Sequence, residues 1–314
     1  MPRPLTVVIV NWNAGELLAS CVASITTHHS GVVDSVVVVD NHSSDDSLAR
    51  LAAVDMGGVA LRVLRNGANN GFAVACNQGA DLSSTDYLLF LNPDTRVEAR
   101  SLSAPLAFLE QQGNEKVGIV GIQLLNDAGE VARSCARFPT LARISAAALG
   151  ITRLEWFRGG GMPMKEWAHD STRTVDQVMG AFFLVRNSLF RQLGGFDERF
   201  FVYFEDVDFS LRASRLGYRS VYLACARAFH KGGGTSRQVR AHRLFYSLRS
   251  RIIYGTKYFR PVERWGLLLL TLLVEPLTRS GFALLRGSII DLRNTWKGYG
   301  MLYRHLPQVL ARRP

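Results

Sequence analysis

Short apolar runs alternate with polar segments of helical spacing through the first hundred residues of the chain. The runs are rich in Val, Leu and Ile, as buried strands are, and cover residues 5–11, 35–40, 60–65 and 86–92. Between them, apolar residues recur every three or four positions over 15–26, 44–54 and 71–82. Because strands that alternate with helices favour right-handed crossovers, the pattern predicts an α/β fold, with a mostly parallel central sheet and helices on both faces.

The remaining chain predicts further elements. Residues 117–136 predict two strands around an Asn-Asp-Ala-Gly turn, and residues 175–186 predict another buried strand region. Residues 187–196 predict a short helix that ends at a pair of glycines. Residues 150–173 combine three consecutive glycines with mixed charge, which is typical of a loop. From residue 238 onward the spacing is helical.

Polar side chains follow the four N-terminal strands where each strand ends. They are Asn11 and Asn13, then Asp40 and Asn41, then Asn66 to Asn70, then Asn92 and Asp94. Ligands of open α/β sheets bind beyond the carboxyl ends of the strands, so these clusters predict a ligand site. Neither GxGxxG nor GxxxxGK[ST] is present, so the sequence indicates neither a usual dinucleotide fold nor a P-loop.

Basic charge is concentrated at the C-terminal end. Residues 236–314 hold fifteen Lys and Arg against three acidic residues, whereas residues 1–235 hold 22 basic and 23 acidic residues. The difference predicts a globular domain over 1–235 and a basic amphipathic helical region over 236–314. The basic region indicates an anionic partner, either nucleic acid or a membrane surface.

The cysteines and the N-terminus favour a cytoplasmic protein. Four cysteines lie far apart without a CxxC pair, which argues against a disulfide framework or a structural zinc site. The N-terminus has one Arg and a short β-branched run that leads straight into polar residues, so it does not resemble a signal peptide.

The C-terminal region contains a Leu-rich run, WGLLLLTLLV, over residues 265–274. A bilayer span needs about 20 apolar residues, and a longer segment would include Glu275, Arg279 and Arg286. We therefore expect amphipathic helices that lie in the interface of an anionic membrane. Packing on the globular domain or on a second subunit, as a homo-oligomer, is the alternative. No nucleic-acid partner is expected, because it would leave the Leu-rich run exposed.

Three carboxylates are crowded into the stretch VYFEDVDFSLR. If the stretch is helical, Asp208 lies one turn before Arg212 and can pair with it, and Glu205 meets the helix dipole in the first turn. Asp206 has neither explanation, and two neighbouring negative charges would raise its pKa and make it a better base. The alternative is a solvated helix start, but the aromatic surroundings favour a site.

Other candidates each have a structural alternative. Asp40 ends a strand and can bind a ribose hydroxyl or a base N–H, or can cap a helix. Asn70 before Gly71 predicts an N-cap at a ligand-binding helix N-terminus. Asp94 in LFLNPDT can hold Mg²⁺ or Mn²⁺ against a diphosphate, or belong to a turn. His230 precedes three glycines that give the backbone freedom, although a lone His is usually structural.

In this order the motifs resemble glycosyltransferase family 2, the inverting sugar-nucleotide enzymes with the GT-A fold. The resemblance spans about residues 5–235 and rests on VVIVNWN, VVVVDNHSSDDS, NNGFAVACN, LFLNPD, MGAFFLVR, GGFDERFFVYFEDVDFSLR and the later His. The penultimate motif is most similar to the bacterial rhamnosyltransferase-like branch. That branch implies transfer of L-rhamnose from dTDP-rhamnose to a lipid-linked or polysaccharide acceptor in cell-envelope glycan synthesis, at the inner face of the plasma membrane.

The resemblance also implies roles for individual residues. Asp206 matches the catalytic base, and Glu205 would position the acceptor or raise the basicity of Asp206. Asp94 matches the last acid of the DxD metal motif, Asn92 replaces its first acid, and His230 completes the ligation of Mg²⁺ or Mn²⁺. The implied nucleotide-sugar site consists of Asn11, Asp40, Asn70, Gly71, Asn77, Asn92 and Asp94.

Two other functions are compatible with parts of the sequence. One is a non-catalytic nucleotide-sugar-binding scaffold at a membrane, against which the joint presence of Asp94, Asp206 and His230 argues. The other is a nucleotidyltransferase, which should show a Gly-rich basic phosphate loop near the N-terminus. The stretch NWNAGELL is not such a loop.

Overall fold

The computed structural model describes residues 4–154, 157, 159–232 and 239–311. The chain forms two compact units. The first consists of Met1–Ala136, Trp167–Glu198 and Asp206–Thr235. The second consists of Arg137–Glu166, Arg199–Glu205 and Ser236–Pro314. The domain boundary predicted between residues 235 and 236 lies outside the described residues, as do Gly233 and Gly234 of the glycine run after His230.

Strands and helices alternate along the first unit. Its strands are β1 (Leu5–Asn11), β2 (Val33–Asp40), β3 (Ala60–Arg65), β4 (Tyr87–Leu91), β5 (Thr95–Val97), β6 (Val117–Leu125), β7 (Cys135–Ala136), β8 (Arg173–Val175), β9 (Gln177–Val178), β10 (Phe182–Arg186) and β11 (Arg219–His230). The helices up to residue 215 are α1 (Glu16–His29), α2 (Ser47–Leu51), α3 (Phe72–Asp81), α4 (Ser103–Leu109), α5 (Leu141–Ala148), α6 (Asn187–Gln192) and α7 (Glu205–Arg215). Of these, α5 belongs to the second unit.

The central sheet has the order β3-β2-β1-β4-β10-β6-β11-β5, and β8 pairs with β11. Strands β3, β2, β1 and β4 are parallel, whereas β10 runs antiparallel between β4 and β6. Consecutive residues Val36 to Val39 of β2 are all fully buried, so both faces of the sheet are covered. The predicted α/β architecture, a central sheet flanked by helices, is confirmed.

Two strands, β6 and β7, flank the predicted turn, in which the Gly129 N–H donates to the Asn126 carbonyl at 2.9 Å, but these two strands do not pair with each other. After β6 only an isolated bridge joins Leu125 to Val131, and β7 pairs instead with β9 in a separate two-stranded sheet. On one edge β6 pairs with β11 along most of its length, and on the other edge it pairs with β10 only at Ile119 and Val120. The bridge to Val131 lies at the last residue of β6, beyond the residues that pair with β10.

The second unit contains α5 and the C-terminal helices. These are α8 (Arg240–Tyr258), α9 (Pro261–Leu269), α10 (Glu275–Leu285) and α11 (Ile289–Ala311). A π-helical turn, Leu270–Val274, joins α9 to α10, so that Pro261–Leu285 forms one helix of 25 residues. By length and composition alone this helix is apolar enough to cross a membrane, although the sequence showed only a ten-residue run.

A buried charge network fixes this long helix to α8. Glu275 is almost fully buried and accepts hydrogen bonds from Arg251 of α8 and from Arg279, the latter at 2.8 Å. Arg251 also donates to Thr271 Oγ1 at 2.9 Å. Burial alone would raise the pKa of Glu275, but the two guanidinium groups outweigh it and lower that pKa. The charges within the helix are therefore used in packing the second unit.

One side of the same helix remains exposed. Its large exposed apolar residues are spaced by three, four or seven positions and form what we call the apolar stripe: Val262, Trp265, Leu269, Leu273, Leu277 and Leu284. Soluble monomers rarely expose continuous apolar surface of this kind without a binding role.

Candidate functional site

The ends of β1 and β2 meet in a buried polar pair. The register places Asn11 beside Asp40, and Asn11 Nδ2 donates to Asp40 Oδ1 at 2.7 Å. The second carboxylate oxygen of Asp40 accepts from the Ser43 backbone N–H at 3.1 Å. Asn11 Nδ2 also donates to Ser47 Oγ at 2.8 Å. Asp40 is thus an oriented carboxylate at the carboxyl end of the parallel strands.

A network of amides extends this edge toward α3. Asn41 Nδ2 donates to the Gly71 carbonyl at 3.0 Å. Asn66, which follows β3, donates from Nδ2 to Asn41 Oδ1 at 2.9 Å and to Gln78 Oε1 at 2.8 Å. The polar residues that follow β2 and β3 therefore lie together, beside the N-terminus of α3, as the strand pattern predicts.

The start of α3 differs from the prediction. The N-cap is Gly71, not Asn70, and its φ of 91° lies in the region that favours glycine. The Gly71 N–H donates to Asn69 Oδ1 at 3.0 Å, an Asx turn that ends the loop, whereas Asn70 is exposed. Because a residue with a side chain would be strained at this φ, the cap position falls on the glycine, one residue after Asn70.

Asn77 binds the protein itself. Its Nδ2 donates to the Phe196 carbonyl at 2.9 Å, and the Phe196 N–H donates back to Oδ1 at 2.9 Å. A Cβ at Gly195 would lie 2.6 Å from Asn77 Oδ1, so the glycine permits this close approach. These contacts join α3 to the segment before α7 and do not bring Asn77 together with Asn11 and Asp40.

Asp94 and His230 form a second buried pair. The antiparallel pairing of β11 with β5 places His230 opposite Thr95, and Lys231 N–H donates to the Asp94 carbonyl at 3.1 Å. His230 Nε2 lies 3.3 Å from Asp94 Oδ1, and the two side chains are only 11% and 10% exposed. Although it is buried, His230 Nε2 makes no hydrogen bond.

The chemistry of this pair suits a divalent cation. A carboxylate oxygen and an imidazole nitrogen are ligands of Mn²⁺, and Mg²⁺ also binds through one or two carboxylates with substrate phosphates completing its shell. The buried Nε2 atom that lacks a hydrogen bond is consistent with a ligand role. Among the described residues, no group of three or more His, Cys, Asp or Glu side chains could hold a metal alone.

Asp206, in the first turn of α7, receives three hydrogen bonds. Oδ2 accepts from the Gly180 N–H at 2.9 Å and from Gln177 Nε2 at 3.1 Å, and Oδ1 accepts from the Val207 N–H at 2.8 Å. Burial raises the pKa of Asp206, and these hydrogen bonds oppose the rise. The raised pKa agrees with the prediction, but its main cause is burial and not the neighbouring charges.

The other two carboxylates have separate surroundings. Asp208 is fully buried and pairs with Arg212 at 2.7 Å, which confirms the predicted helical ion pair. Arg212 also donates to the Leu193 and Gly195 carbonyls, each at 2.8 Å. Glu205 is 5% exposed and begins α7. The arginine therefore offsets the charge of Asp208.

Antiparallel β10 brings Asp206 to the same edge of the sheet as the Asp94–His230 pair. Phe182 lies opposite Leu91, and the Asn92 N–H donates to the Ala181 carbonyl at 3.0 Å. Gly180, which binds Asp206, directly precedes Ala181. Asp206 is thus connected to Asn92, two residues before Asp94, through the backbone groups of Gly180 and Ala181.

Sequence reasoning missed two residues here, Gln177 and Gly180. Both hold the Asp206 carboxylate, and a Cβ at position 180 would lie 3.3 Å from Asp206 Oδ2. The only local signal was the glycine in the run VMGAFF. It also missed Tyr203 and Phe204, which adopt a left-handed backbone conformation just before α7, with φ values of 67° and 70°. Left-handed residues of this kind cost about 1–3 kcal/mol each and cluster at active sites.

The arrangement provides two chemical functions at one edge. Asp206 is a carboxylate held by fixed donors, with a raised pKa that suits it to accept a proton. Asp94 and His230 offer an oxygen and a nitrogen for a cation, and Asp40 offers a carboxylate at the neighbouring strands.

Comparison with known proteins gives concordant results. Residues 2–252 match the model of the family described as glycosyltransferase like family 2. The chain is 30% identical over 290 residues to the N-acetylglucosaminyl-diphospho-decaprenol L-rhamnosyltransferase of Mycobacterium tuberculosis, which covers 85% of this chain and 90% of that protein. It is 31% identical over 192 residues to rhamnosyltransferase WbbL of Escherichia coli, which covers 60% of this chain and 69% of that protein.

Solved structures share the fold. The mannosyltransferase PcManGT from Pyrobaculum calidifontis, in complex with GDP-Man and Mn²⁺, has a TM-score of 0.56 at 17% identity, covering 98% of this chain and 84% of that one. TarS 1-349 of S. aureus, in complex with UDP, has a TM-score of 0.52 at 14% identity, covering 96% and 91%. These neighbours are GT-A glycosyltransferases, and the predicted GT-A fold is confirmed.

Proposed function

The chain belongs to glycosyltransferase-like family 2, and on that basis we propose that it transfers L-rhamnose from dTDP-rhamnose to a lipid-linked acceptor with inversion. Its similarity to the mycobacterial rhamnosyltransferase, which extends over 90% of that protein, supports the transferred sugar and the acceptor class. The observation that carries the proposal is the hydrogen-bonded Asp206 carboxylate at the same sheet edge as the Asp94–His230 pair.

Asp206 acts as the general base. As an acceptor hydroxyl oxygen attacks the anomeric carbon, its proton moves to the Asp206 carboxylate, and the nucleoside diphosphate leaves from the opposite face of the sugar. The N–H groups of Gly180 and Val207 and the Gln177 amide hold the carboxylate in one orientation. A raised pKa increases the basicity of the ionised group. A single displacement with one base inverts the anomeric configuration.

Glu205 supports the base from the preceding position. It is buried at the first residue of α7, next to Asp206 in the chain. We assign it to positioning the acceptor or to raising the basicity of Asp206. It is not assigned a proton-transfer step.

Asp94 and His230 are proposed to hold Mg²⁺ or Mn²⁺, with Asn92 nearby in the position of the first metal-motif acid. The buried His230 Nε2, which makes no hydrogen bond and lies 3.3 Å from Asp94 Oδ1, supports this assignment. When bound, the cation would neutralise charge that develops on the leaving diphosphate.

The nucleotide is proposed to lie along the ends of β1 and β2. Asp40 is held by Asn11 and by the Ser43 N–H, so that its carboxylate can accept a hydrogen bond from ribose or base. Gly71 is the N-cap of α3, whose N-terminal dipole favours an anionic ligand. Asn70 is exposed beside it, whereas Asn77 supports the site through Phe196.

The second unit is proposed to associate with the inner, anionic face of the plasma membrane as a peripheral element. The apolar stripe and the basic charge of residues 236–314 support this. A second copy of the chain covering the stripe is the alternative. Membrane association would place the enzyme where lipid-linked acceptors are found.

Incubating purified full-length protein with a panel of sugar nucleotides and a diphosphate-lipid acceptor tests the proposal. We expect a rhamnosylated lipid with dTDP-rhamnose, and an anomeric configuration inverted relative to the donor. Product formation from another nucleotide sugar would correct the donor assignment. Binding of donors without transfer or donor hydrolysis would instead support the non-catalytic scaffold, and nucleotide transfer to a sugar phosphate would support the nucleotidyltransferase.

A further inference from the structure

A groove of about 770 Å³ runs along the second unit, where α8 and α11 meet. We call it the α8/α11 groove. Four exposed basic side chains line it together with a tryptophan and a methionine: His242, Arg293, Trp296, Lys297, Met301 and Arg304. Nothing in the proposed transfer reaction uses these residues.

Small residues create the groove. A Cβ at Gly298 would lie 3.0 Å from the Ala241 carbonyl oxygen, so that α8 and α11 are in close contact there. Two residues further on, Gly300 lines the groove, and a Cβ at that position would have no heavy atom within 4 Å. The missing side chain at position 300 therefore keeps the groove open.

The basic residues of α11 share one helix face. Arg293, Lys297, Gly300 and Arg304 are spaced by three or four positions and therefore lie above one another. The acid of the same helix, Asp291, lies 3.6 Å from Arg240 of α8. Among the described lining residues none is acidic, so the charge of the groove is positive.

A basic helix face is ordinarily only solvated, but two features of this groove point to a ligand. Trp296 is 46% exposed between cationic neighbours, and Met301 adds further apolar lining. An amphipathic indole beside Arg and Lys is typical of residues at the membrane–water interface. Guanidinium and ammonium groups bind phosphate oxygens through charge-assisted hydrogen bonds.

We propose that the α8/α11 groove binds the phosphate headgroup of an anionic membrane lipid. Arg293, Lys297 and Arg304 contact the phosphate oxygens, and Trp296 inserts at the level of the headgroups. This inference rests on the proposed membrane association and gives it a defined site. It requires recognition of phosphate, whereas the apolar stripe and net charge alone require only a negative surface.

Two variants test the groove, one by filling it and the other by removing positive charge from its lining. Gly300→Leu fills it without changing charge, and leucine is a better helix former than glycine. Arg293→Gln with Lys297→Gln removes two cations from it. The matched control is Arg243→Gln with Arg286→Gln, which removes two exposed cations of the same unit outside the groove lining.

Sedimentation of the full-length chain with two sets of vesicles provides the test. Both sets contain phosphatidylcholine and carry equal negative charge, one from phosphatidylglycerol and one from oleate, which has no phosphate. We expect wild type to bind the phosphatidylglycerol vesicles about tenfold more tightly, which corresponds to one additional charge-assisted hydrogen bond to a phosphate oxygen. Both groove variants lose this preference, and the control weakens binding to both sets equally. Thermal unfolding verifies that each variant is folded.

The possible results separate the two proposals. Equal binding of wild type to both vesicle types would overturn the proposal that the groove binds lipid phosphate. Equal loss of preference in the groove variants and the control variant would overturn it as well. Retained preference in Gly300→Leu also overturns it. No binding to either vesicle overturns the membrane association and the groove together. Release by millimolar inorganic phosphate, beyond that caused by chloride of equal ionic strength, would assign the groove to free phosphate instead of lipid.

Discussion

Replacing Asp206 with Asn tests the proposed base. The amide has nearly the shape of the carboxylate but does not accept a proton at neutral pH. It also changes the hydrogen bonding, because three N–H donors point at the two oxygens of Asp206. An Asn side chain has one oxygen, so it satisfies only part of this set.

The magnitudes follow from these contacts. With its oxygen toward Gly180 and Gln177, the amide keeps two hydrogen bonds and turns its NH₂ group toward the Val207 N–H. One unsatisfied donor costs about 1–3 kcal/mol of folding free energy. Losing the base costs about 10²–10⁴ in rate, since a positioned general base contributes that much. The variant should therefore be a folded enzyme with greatly reduced turnover.

Asp208→Asn is the matched control, the same substitution two residues further along α7. Asp208 is fully buried against Arg212, and breaking a buried pair costs about 3–5 kcal/mol. We expect a larger loss of stability than in Asp206→Asn but a smaller loss of rate. The assays are thermal unfolding, donor binding by calorimetry, and transfer rate per folded molecule. Rate losses that follow the stability losses in the two variants would refute the assignment of Asp206, as would near-normal turnover in Asp206→Asn.

Three further outcomes are expected. Chelation, or Asp94→Ala, lowers both the transfer rate and the calorimetric affinity for nucleoside diphosphate, and His230→Ala acts in the same direction. Gln177→Ala removes a hydrogen bond that lowers the pKa of Asp206, so the acid limb of the pH–rate profile moves to higher pH. Glu275→Gln lowers the melting temperature at neutral pH. Because Arg251 and Arg279 lower the pKa of Glu275, wild type loses this advantage only as the pH falls below about 4.

Each of these has a clear contrary result. Full activity of chelated enzyme would exclude the metal role of Asp94 and His230. An unchanged acid limb in Gln177→Ala would mean that Asp206 does not control that limb. A stability difference in Glu275→Gln that persists unchanged at low pH would show that the ionised carboxylate is not its source.

Much of the sheet was predictable because several of its strands, such as β1 and β4, are apolar along almost their whole length. The runs at 5–11 and 60–65 coincide with β1 and β3, and β4 differs from its run by one residue at each end. Strands β1 and β4 carry this signal because they are buried along their whole length, whereas β3 is a largely exposed strand at the end of the sheet. The Asp208–Arg212 pair was predictable for a similar reason, since both residues belong to one helix.

Features that depend on distant parts of the chain were not predictable. Gln177 and Gly180 reach Asp206 only because β10 inserts antiparallel beside β4, and no local pattern encodes that pairing. The pairing of β7 with β9 has a related cause, since no local pattern after the turn shows that residues 177–178 supply the partner of β7. The pKa of Asp206 was predicted in direction but not in cause, because burial is a property of the folded chain.

The strand order also determines which strands of the sheet can pair first during translation. Strands β1 to β4 pair among themselves within the first 91 residues, so Asn11 and Asp40 can meet while the rest of the chain is still being synthesised. His230 ends β11 and emerges on the order of ten seconds later at ordinary rates of translation. The strands closed early are those with short sequence separation, which cost the least loop-closure entropy. A nascent chain therefore assembles the edge that carries Asp40 well before it contains the residue that pairs with Asp94.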